Sequence, residues 1–309
     1  MPFLLPASRW ADVDGPVHWV DHGGPQDGPL LVCVHGLGGS HVNWLAVAPL
    51  LTGTCRVVAL DLAGFGHTRG GGRSTSVQAN ADLLHRFVTQ VVGAPAVLVG
   101  NSMGGLVSAL VAAAHPRDVA GLVLIDPALP PVLRSRPDPV TAALFAGYLV
   151  PGAGRLLLRR PVLRTAEDIA TQTLRLCCVD PGRVPQEVLE AHLELARTRT
   201  WYAELEPEFL AATRSLLWVL ARRGRYLADL RRITAPVLLV HGERDRLVPV
   251  GTARAAARAL PWWRYVELPD VGHVPQLEAP ERTAEVVLRW LATDGRRAAR
   301  AAAGTLHPS

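Results

Sequence analysis

The chain of 309 residues contains no lysine, so all 32 of its basic residues are arginines. With 27 acidic residues the net charge is +5, and arginine is concentrated at 134–232 and 296–300. Interspersed acidic residues favour solvated helix faces, and attraction to an anionic substrate or a membrane surface stays open. The arginines show neither zinc-finger spacing nor interleaved aromatic residues, so nucleic acid is not an expected partner.

Cysteine is also scarce, with four residues in the chain. Four are too few for a disulfide framework at this length, and the adjacent Cys177 and Cys178 are poorly placed to bridge each other. No apolar run reaches the roughly 18 residues of a membrane-spanning helix. Residues 1–10 lack the basic start and the cleavage site of a secretory signal. Together with reduced thiols, these absences predict a cytoplasmic protein.

Two kinds of segment alternate along the chain from residue 30 onwards. Short β-branched runs are typical of strands buried on both faces of a parallel sheet, and they alternate with apolar residues at helical spacing. This order predicts an α/β protein with a mostly parallel, doubly wound sheet. The predicted strands are 30–35, 55–61, 96–100, 121–125, 236–241 and 264–268, and the predicted helices are 78–92, 103–115 and 281–291.

The alternation is interrupted by a run of successive helices. Residues 165–179, 186–198 and 207–223 have the clearest helical patterns, and no strand-like run separates them. The expected organisation is a sheet core in two parts, 1–128 and 233–294, with a helical insertion at 129–232. Residues 295–309 are rich in Arg, Ala and Gly and are expected to be disordered.

The clearest chemical motif is Gly100-Asn-Ser102-Met-Gly104, directly after a predicted strand and directly before a predicted helix. Glycines on both sides allow a sharp turn that projects the serine hydroxyl clear of the sheet. Ser102 is therefore the candidate nucleophile. A glycine-rich turn with an idle serine is the alternative interpretation.

A second pair of candidates lies in the returning half of the chain. Asp245 follows the strand 236–241, and His273 lies in a loop between the strand 264–268 and the helix 281–291. The order Ser, Asp, His is typical of a hydrolase triad on a parallel sheet. Asp126 ends the strand 121–125 and is an alternative acid. His35 and Asp61 are interpreted as structural residues of two glycine turns.

The glycine-rich end of the first predicted strand, His35-Gly-Leu37-Gly-Gly-Ser, exposes backbone amides. If this segment lies beside the serine turn, the amides of Leu37 and Met103 can form an oxyanion hole. An ordinary tight strand–helix turn accounts for the glycines equally well.

From about residue 10 to 293 the chain resembles a cap-bearing member of the α/β-hydrolase fold family. Five blocks carry the resemblance in order: the segments 31–36, 61–68, 100–105, 241–245 and 272–273. The resemblance implies a serine esterase with Ser102, Asp245 and His273 as triad, and with the amides of Leu37 and Met103 as oxyanion hole. It requires neither a metal nor an organic cofactor. Serine at position 102 argues against the aspartate-dependent dehalogenase and epoxide-hydrolase branches.

The substrate is the least determined element of this prediction. A small or medium, largely apolar acyl ester is the leading hypothesis, and the helical insertion is expected to cover Ser102 as a cap. Carbon–carbon bond hydrolysis of ring-cleavage products, cofactor-free perhydrolysis or acyl transfer, and a triad-retaining ligand receptor remain alternatives. The candidate pocket residues are Leu144, Phe145, Leu149, Leu174, Trp201 and Trp218.

Overall fold

The computed structural model describes residues 5–132, 135, 138–150, 154, 165–199 and 205–301. The described residues include eight strands, which form one sheet in the order β1-β2-β4-β3-β5-β6-β7-β8. From β4 to β8 all neighbours are parallel, whereas β1, β2 and β4 pair antiparallel. The strands are β1 (Ser8–Asp12), β2 (Pro16–Gly23), β3 (Leu30–Val34), β4 (Arg56–Leu60), β5 (Ala96–Asn101), β6 (Val119–Ile125), β7 (Val237–Gly242) and β8 (Arg264–Leu268).

The expected mostly parallel, doubly wound sheet is confirmed, and its six predicted strands are β3 to β8. In β3 and β5 every residue is buried, as expected for strands covered on both faces. The hairpin β1–β2 was missed. It turns at Asp14-Gly15, where both residues have positive φ, and Asp-Gly is a frequent hairpin turn.

Helices cover both faces of the sheet. The helices α2 and α3 pack on one face, and α1 and α11 pack on the other. The helices are α1 (Ala48–Leu51), α2 (Val77–Arg86), α3 (Met103–Ala114), α4 (Pro139–Leu149), α5 (Ala166–Cys177), α6 (Gln186–Arg199), α7 (Leu205–Ala221), α8 (Arg223–Arg231), α9 (Val250–Ala259), α10 (Pro275–Glu278), α11 (Pro280–Ala292) and α12 (Arg296–Ala301).

The predicted run of helices lies between β6 and β7, where the described residues form α4 to α8 and add no strand to the sheet. Helix α7 packs against α2 and α4, and α8 packs against α3. Of the helices that the structure describes, none combines the length and the apolar character needed to span a bilayer.

The prediction for the residues after Asp294 was wrong in part. Disorder was expected from residue 295, but Arg296–Ala301 forms α12. Ala298 is fully buried in the core on the face of the sheet that α1 and α11 cover, and it contacts Gly121 of β6. A small side chain facing a glycine lets this arginine-rich helix pack closely, which composition alone does not reveal. Residues 302–309 lie outside the described part.

The sheet order places the loops that carry chemistry at one edge. The chain winds from β3 to β4 on one side and continues at β5 on the other side of β3. Such a switch point leaves a crevice at the carboxyl ends of the two central strands. His35 follows β3, Ser102 follows β5, and Asp126 follows β6 at this edge.

The close approach of α3 to β3 gives a test of the fold. A methyl group at Gly104 would overlap the carbonyl oxygens of Val34 and His35, which are backbone atoms and cannot rotate away. We expect Gly104→Ala to lower the free energy of unfolding by about 1–3 kcal/mol, measured by urea denaturation. The control is Gly224→Ala, because Gly224 is helical with open space around it, and this change is expected to be neutral or stabilising. Equal effects of the two changes would contradict the prediction.

Candidate active site

Ser102 lies at the apex of the turn between β5 and α3, as the motif predicted. Its backbone has φ 53° and ψ −118°, a conformation that costs free energy in a residue with a β-carbon. The neighbouring strand holds it in place, because the Ser102 amide donates to the carbonyl of Ile125 (3.1 Å) and its carbonyl accepts from Ala128 (2.9 Å).

His273 and Asp245 form a buried pair at the same edge. Nδ1 of His273 lies 2.6 Å from Oδ2 of Asp245, and the two residues are only 4% and 7% exposed. The other carboxylate oxygen of Asp245 accepts from the amides of Leu247 (2.7 Å) and Val248 (2.9 Å). Burial opposes ionisation of Asp245, but the charge of His273 and its hydrogen bond hold the pKa of this carboxyl below its usual value.

Asn101 joins the serine turn to the histidine loop. Its side-chain amide donates to the carbonyls of His273 and Ile125, both at 3.1 Å. The loop after β3 completes the convergence, since a β-carbon at Gly36 would lie 3.0 Å from Cβ of Ser102. The structure thus brings the loops of all three predicted triad residues together. Sequence reasoning missed Asn101, which occupies a variable position of the Gly-x-Ser-x-Gly motif.

The loop after β3 holds Leu37 beside the serine turn. His35 fixes this loop, because its Nδ1 lies 2.8 Å from the Gly36 carbonyl and its Nε2 accepts from the Leu62 amide at 3.0 Å. Both ring nitrogens are engaged, which supports the structural role expected for His35. Met103 is the first residue of α3, where amides have no acceptor within the helix.

Asp126, the alternative acid, lies behind Asp245 and is not the partner of His273. One of its oxygens accepts from the Gly242 amide at 2.9 Å, and the other has no hydrogen-bond partner among the described residues. Burial and the nearby charge of Asp245 raise the pKa of Asp126 well above its usual value. The surroundings of the two neighbouring acids thus favour the ionised form of Asp245 and the protonated form of Asp126.

His241 separates these two acids without competing for the role of base. Its Nε2 lies 2.8 Å from the Val248 carbonyl, 3.4 Å from Asp245 and 3.5 Å from Asp126. Complete burial lowers the pKa of His241.

Cys177 also lies near the site, and burial raises the pKa of its thiol to about 12. A thiol with this pKa is not a competing nucleophile.

Glu278 clamps the insertion onto the histidine loop and was also missed. Its carboxylate accepts from the amides of Val179 (2.8 Å), Asp180 (2.9 Å) and Gly272 (2.7 Å). The His273 amide donates directly to the carbonyl of Cys177 at 2.6 Å. The backbone of the insertion is therefore part of the support of His273.

Asp61 fixes the turn that follows β4, as expected, and organises more than the sequence indicated. It accepts from the His67 amide at 2.8 Å and from the His41 amide at 2.6 Å. The ring of His18 lies 2.8 Å away and that of His41 3.0 Å away. These contacts hold three chain segments around one buried carboxylate.

Within the part of the chain that the structure describes, three groups of histidine and carboxylate side chains come close enough to hold a metal ion. In each group these side chains already form hydrogen bonds or ion pairs with one another, so mutual pairing accounts for the clusters. They are His18, His41 and Asp61; His85, His115 and Asp118; and Asp126, His241 and Asp245.

The residues expected to line an acyl pocket divide into distinct places. Leu174 is buried in a small apolar cluster that also contains Val274, next to His273. Trp218 is 58% exposed and lines a cavity that none of the three triad candidates lines. Trp201 lies outside the described residues. Sequence reasoning missed Phe209. A β-carbon placed on Gly38 would lie 3.5 Å from the Phe209 ring, so this side chain extends from the insertion to the loop after β3.

Comparison with known proteins gives a consistent family. A family model described as the alpha/beta hydrolase fold matches residues 29–280. The chain is 31% identical to the dihydrolipoyllysine-residue acetyltransferase component of the acetoin cleaving system of Pseudomonas putida, over 93% of this chain and 70% of that protein. It is 26% identical to the monoacylglycerol lipase ABHD6 of Homo sapiens, over 88% of this chain and 77% of that protein. A solved bacterial membrane phospholipase A is 30% identical with a TM-score of 0.70, covering 94% and 87% of the two chains.

The raised pKa of Asp126 predicts a pH-dependent stability. Native Asp126 keeps its proton where the unfolded residue ionises near pH ~4, so this residue costs increasing stability as pH rises above that value. Asp126→Asn removes this cost. We expect the free energy of unfolding of the variant, relative to the unmodified protein, to increase between pH 4 and pH 8 in urea denaturation. A difference independent of pH would contradict a protonated Asp126.

The clamp at Glu278 predicts a large loss of stability. Glu278→Ala leaves three amide donors without their acceptor, and each buried unsatisfied donor costs about 1–3 kcal/mol. We expect the free energy of unfolding to fall by about 3 kcal/mol or more. The control is Glu285→Ala, which removes an exposed pair with Arg289 on the same face of α11 and should change the value by less than about 0.5 kcal/mol. A loss at Glu278 no larger than the control's would rule out the clamp.

Proposed function

Because this chain belongs to the α/β-hydrolase fold family, we propose that it is a serine hydrolase that cleaves a carboxylic ester through an acyl-enzyme. The observation that carries the proposal is the buried His273–Asp245 pair, tied through Asn101 to the strained turn of Ser102. The lipase names of two relatives, in Homo sapiens and Psychrobacter immobilis, support an ester substrate.

Ser102, His273 and Asp245 divide the proposed reaction between them. His273 takes the proton of the Ser102 hydroxyl through Nε2 as the serine oxygen attacks the ester carbonyl. Asp245 holds the imidazole in the required tautomer and stabilises the imidazolium. His273 then gives its proton to the departing alcohol, and the acyl group stays on Ser102. Water, deprotonated by His273, then attacks the acyl carbonyl, and His273 returns this proton to the Ser102 oxygen as the acid is released.

The amides of Leu37 and Met103 are the proposed oxyanion hole. Leu37 lies in the loop that contacts Ser102 through Gly36, and Met103 directly follows the nucleophile. Both belong to rigid backbone and need no rearrangement as charge develops, and losing one such donor typically costs ~10²–10³ in rate. This mechanism uses neither a metal nor an organic cofactor.

The helical insertion is the proposed cap over the substrate. Phe209 contacts the loop that carries Leu37, and Tyr148 packs against Phe209 with ring centroids 5.5 Å apart. These aromatic side chains favour an apolar acyl group of small or medium length. The chain-length preference and the cytoplasmic location expected from the sequence stay predictions.

Acyl transfer to an acceptor other than water is the second candidate. The Pseudomonas putida relative is named an acetyltransferase component, and an acyl-enzyme can pass its acyl group to an alcohol as readily as to water when the alcohol is bound. The proposed triad serves both reactions. They differ in whether an added alcohol, such as butanol, captures the acyl group of a test ester.

Hydrolysis of p-nitrophenyl esters with acyl chains of two to ten carbons tests the proposal. We expect Ser102→Ala to lower kcat/KM by at least about 10³-fold and Asp245→Asn to lower it by about 10⁴-fold. Asp126→Asn is the matched control, because the raised pKa of Asp126 favours its neutral form and the residue lies outside the pair with His273, so kcat/KM of this variant should change little. A fluorophosphonate should label Ser102, located by mass spectrometry.

Three results would contradict this assignment. Turnover that persists in Ser102→Ala would show that Ser102 is not the nucleophile. A larger loss of kcat/KM in Asp126→Asn than in Asp245→Asn would assign the acid of the triad to Asp126. Labelling of Ser102 without turnover of any ester would favour carbon–carbon bond hydrolysis or a ligand receptor.

A further inference from the structure

A cavity of about 460 Å³ lies at the end of α3 remote from the candidate active site. Helix α3 begins at Met103, but the cavity contacts only its last residues, from Leu110 onwards. At 1.5 Å per helical residue, Leu110 lies roughly 12 Å along the axis from Ser102. We call this cavity the remote pocket.

The inner wall of the remote pocket is apolar and comes from four helices. Ala81 of α2, Leu110 and Ala113 of α3, Val219 of α7 and Tyr226 of α8 all contribute. Alanines at the facing positions of α2 and α3 leave the space that larger side chains would fill. Ligand pockets of 300–1,000 Å³ typically combine such a wall with a few polar groups that fix the orientation of the ligand.

The rim of the remote pocket is cationic. Arg222, Arg225 and Arg232 line it together with Asp82 and Asp229. Arg232 pairs with Asp229 at 3.6 Å, whereas no carboxylate of the described residues forms an ion pair with Arg222 or Arg225. Apart from the Arg232–Asp229 pair, the charged residues of the rim are therefore two arginines and one acid, Asp82.

Trp218 orders one of these guanidinium groups. The guanidinium carbon of Arg222 lies 4.1 Å from the centre of the Trp218 ring, a stacked arrangement that arginine adopts readily. Stacking leaves the edge of the guanidinium free, and this edge matches the two oxygens of a carboxylate. Trp218 is 58% exposed, so it covers the side of the pocket without closing the entrance.

We propose that the remote pocket binds an amphipathic carboxylate, with its alkyl chain against α2, α3 and α7 and its anionic head between Arg222 and Arg225. A medium-chain fatty acid has this chemistry. The apolar wall would bind the alkyl chain of the ligand, and the two guanidinium groups without an ion-pair partner would bind its carboxylate. This site is separate from the proposed esterase site and does not depend on catalysis by Ser102.

The test is calorimetric titration of the full chain with decanoate below its critical micelle concentration. The Ser102→Ala form is used, so that turnover plays no part in the signal. We expect one saturable site, with a Kd at least tenfold weaker in the double variant Arg222→Ala/Arg225→Ala. Decanol, which keeps the chain and lacks the charge, should bind at least tenfold more weakly than decanoate.

Two further variants test whether decanoate occupies the remote pocket itself. Ala114→Trp fills the cavity from the exposed last residue of α3 and should abolish binding while leaving the arginines in place. Arg258→Ala removes an exposed arginine of α9 that does not line the pocket, and should leave the Kd unchanged. Circular dichroism confirms that each variant is folded before titration.

Several outcomes would overturn the proposal. They are the absence of saturable decanoate binding, a Kd unchanged by the double variant or by Ala114→Trp, and equal binding of decanol. Binding only to anionic phospholipid vesicles, with no response to monomeric decanoate, would replace the pocket with a membrane surface. Because Ser102→Ala is used throughout, failure here leaves ester hydrolysis untouched, and failure of ester hydrolysis leaves this result standing.

Discussion

The hydrogen bond between His273 and Asp245 depends on supports that lie outside the pair itself. Asp245 is held by two amides of its own loop, and His273 is held at its carbonyl by Asn101 and at its amide by Cys177. An imidazole is useful as a base only when its free nitrogen is fixed in direction. These backbone contacts fix it from two sides, and they come from β5 and from the insertion. The parallel sheet makes this possible because it delivers the carboxyl ends of β5, β7 and β8 to one edge.

The pKa values of two acids at this edge shift in opposite directions for a physical reason. Both are buried, but only Asp245 has a hydrogen-bonded histidine and two amides to stabilise a negative charge. Asp126 has one amide and the repulsion of Asp245. Like charges at this spacing do not both persist in a buried site. The environment, rather than the residue type, therefore decides which acid pairs with His273.

Much of the fold could be predicted from the sequence, because strands buried on both faces are continuous apolar runs and need no tertiary information. Ser102 and Asp245 were predictable for a related reason, since each follows such a strand, whereas His273 follows the partly exposed β8 and was identified from its place in the loop before a helix. The hairpin β1–β2 was missed because β1 is almost entirely exposed and β2 mixes polar with apolar residues, so neither forms a continuous apolar run. Asn101, Glu278 and Phe209 could not be predicted, as their roles arise from contacts between segments remote in the chain. The helix at 296–301 was hidden by its composition, because one buried alanine decides its packing.

The abundant arginines also acquire specific uses in the structure. Arg183 of the insertion binds the carboxylate and the carbonyl of Asp270, which Arg244 of the core also contacts. Arg254 pairs with Glu267 on β8. Several basic residues thus join the insertion to the core or join neighbouring elements of the core, which agrees with mixed-charge surfaces more than with one broad cationic face.

The hydrogen bond from His273 to Cys177 constrains how a substrate can reach Ser102. The end of α5 cannot swing outward without releasing the histidine amide and the carboxylate of Glu278. Helix α7 is tied to the core as well, since Glu208 accepts from the Gly70 amide and Ser215 accepts from the Val77 amide. An entrance formed by lifting the end of α5 would therefore disturb the support of His273.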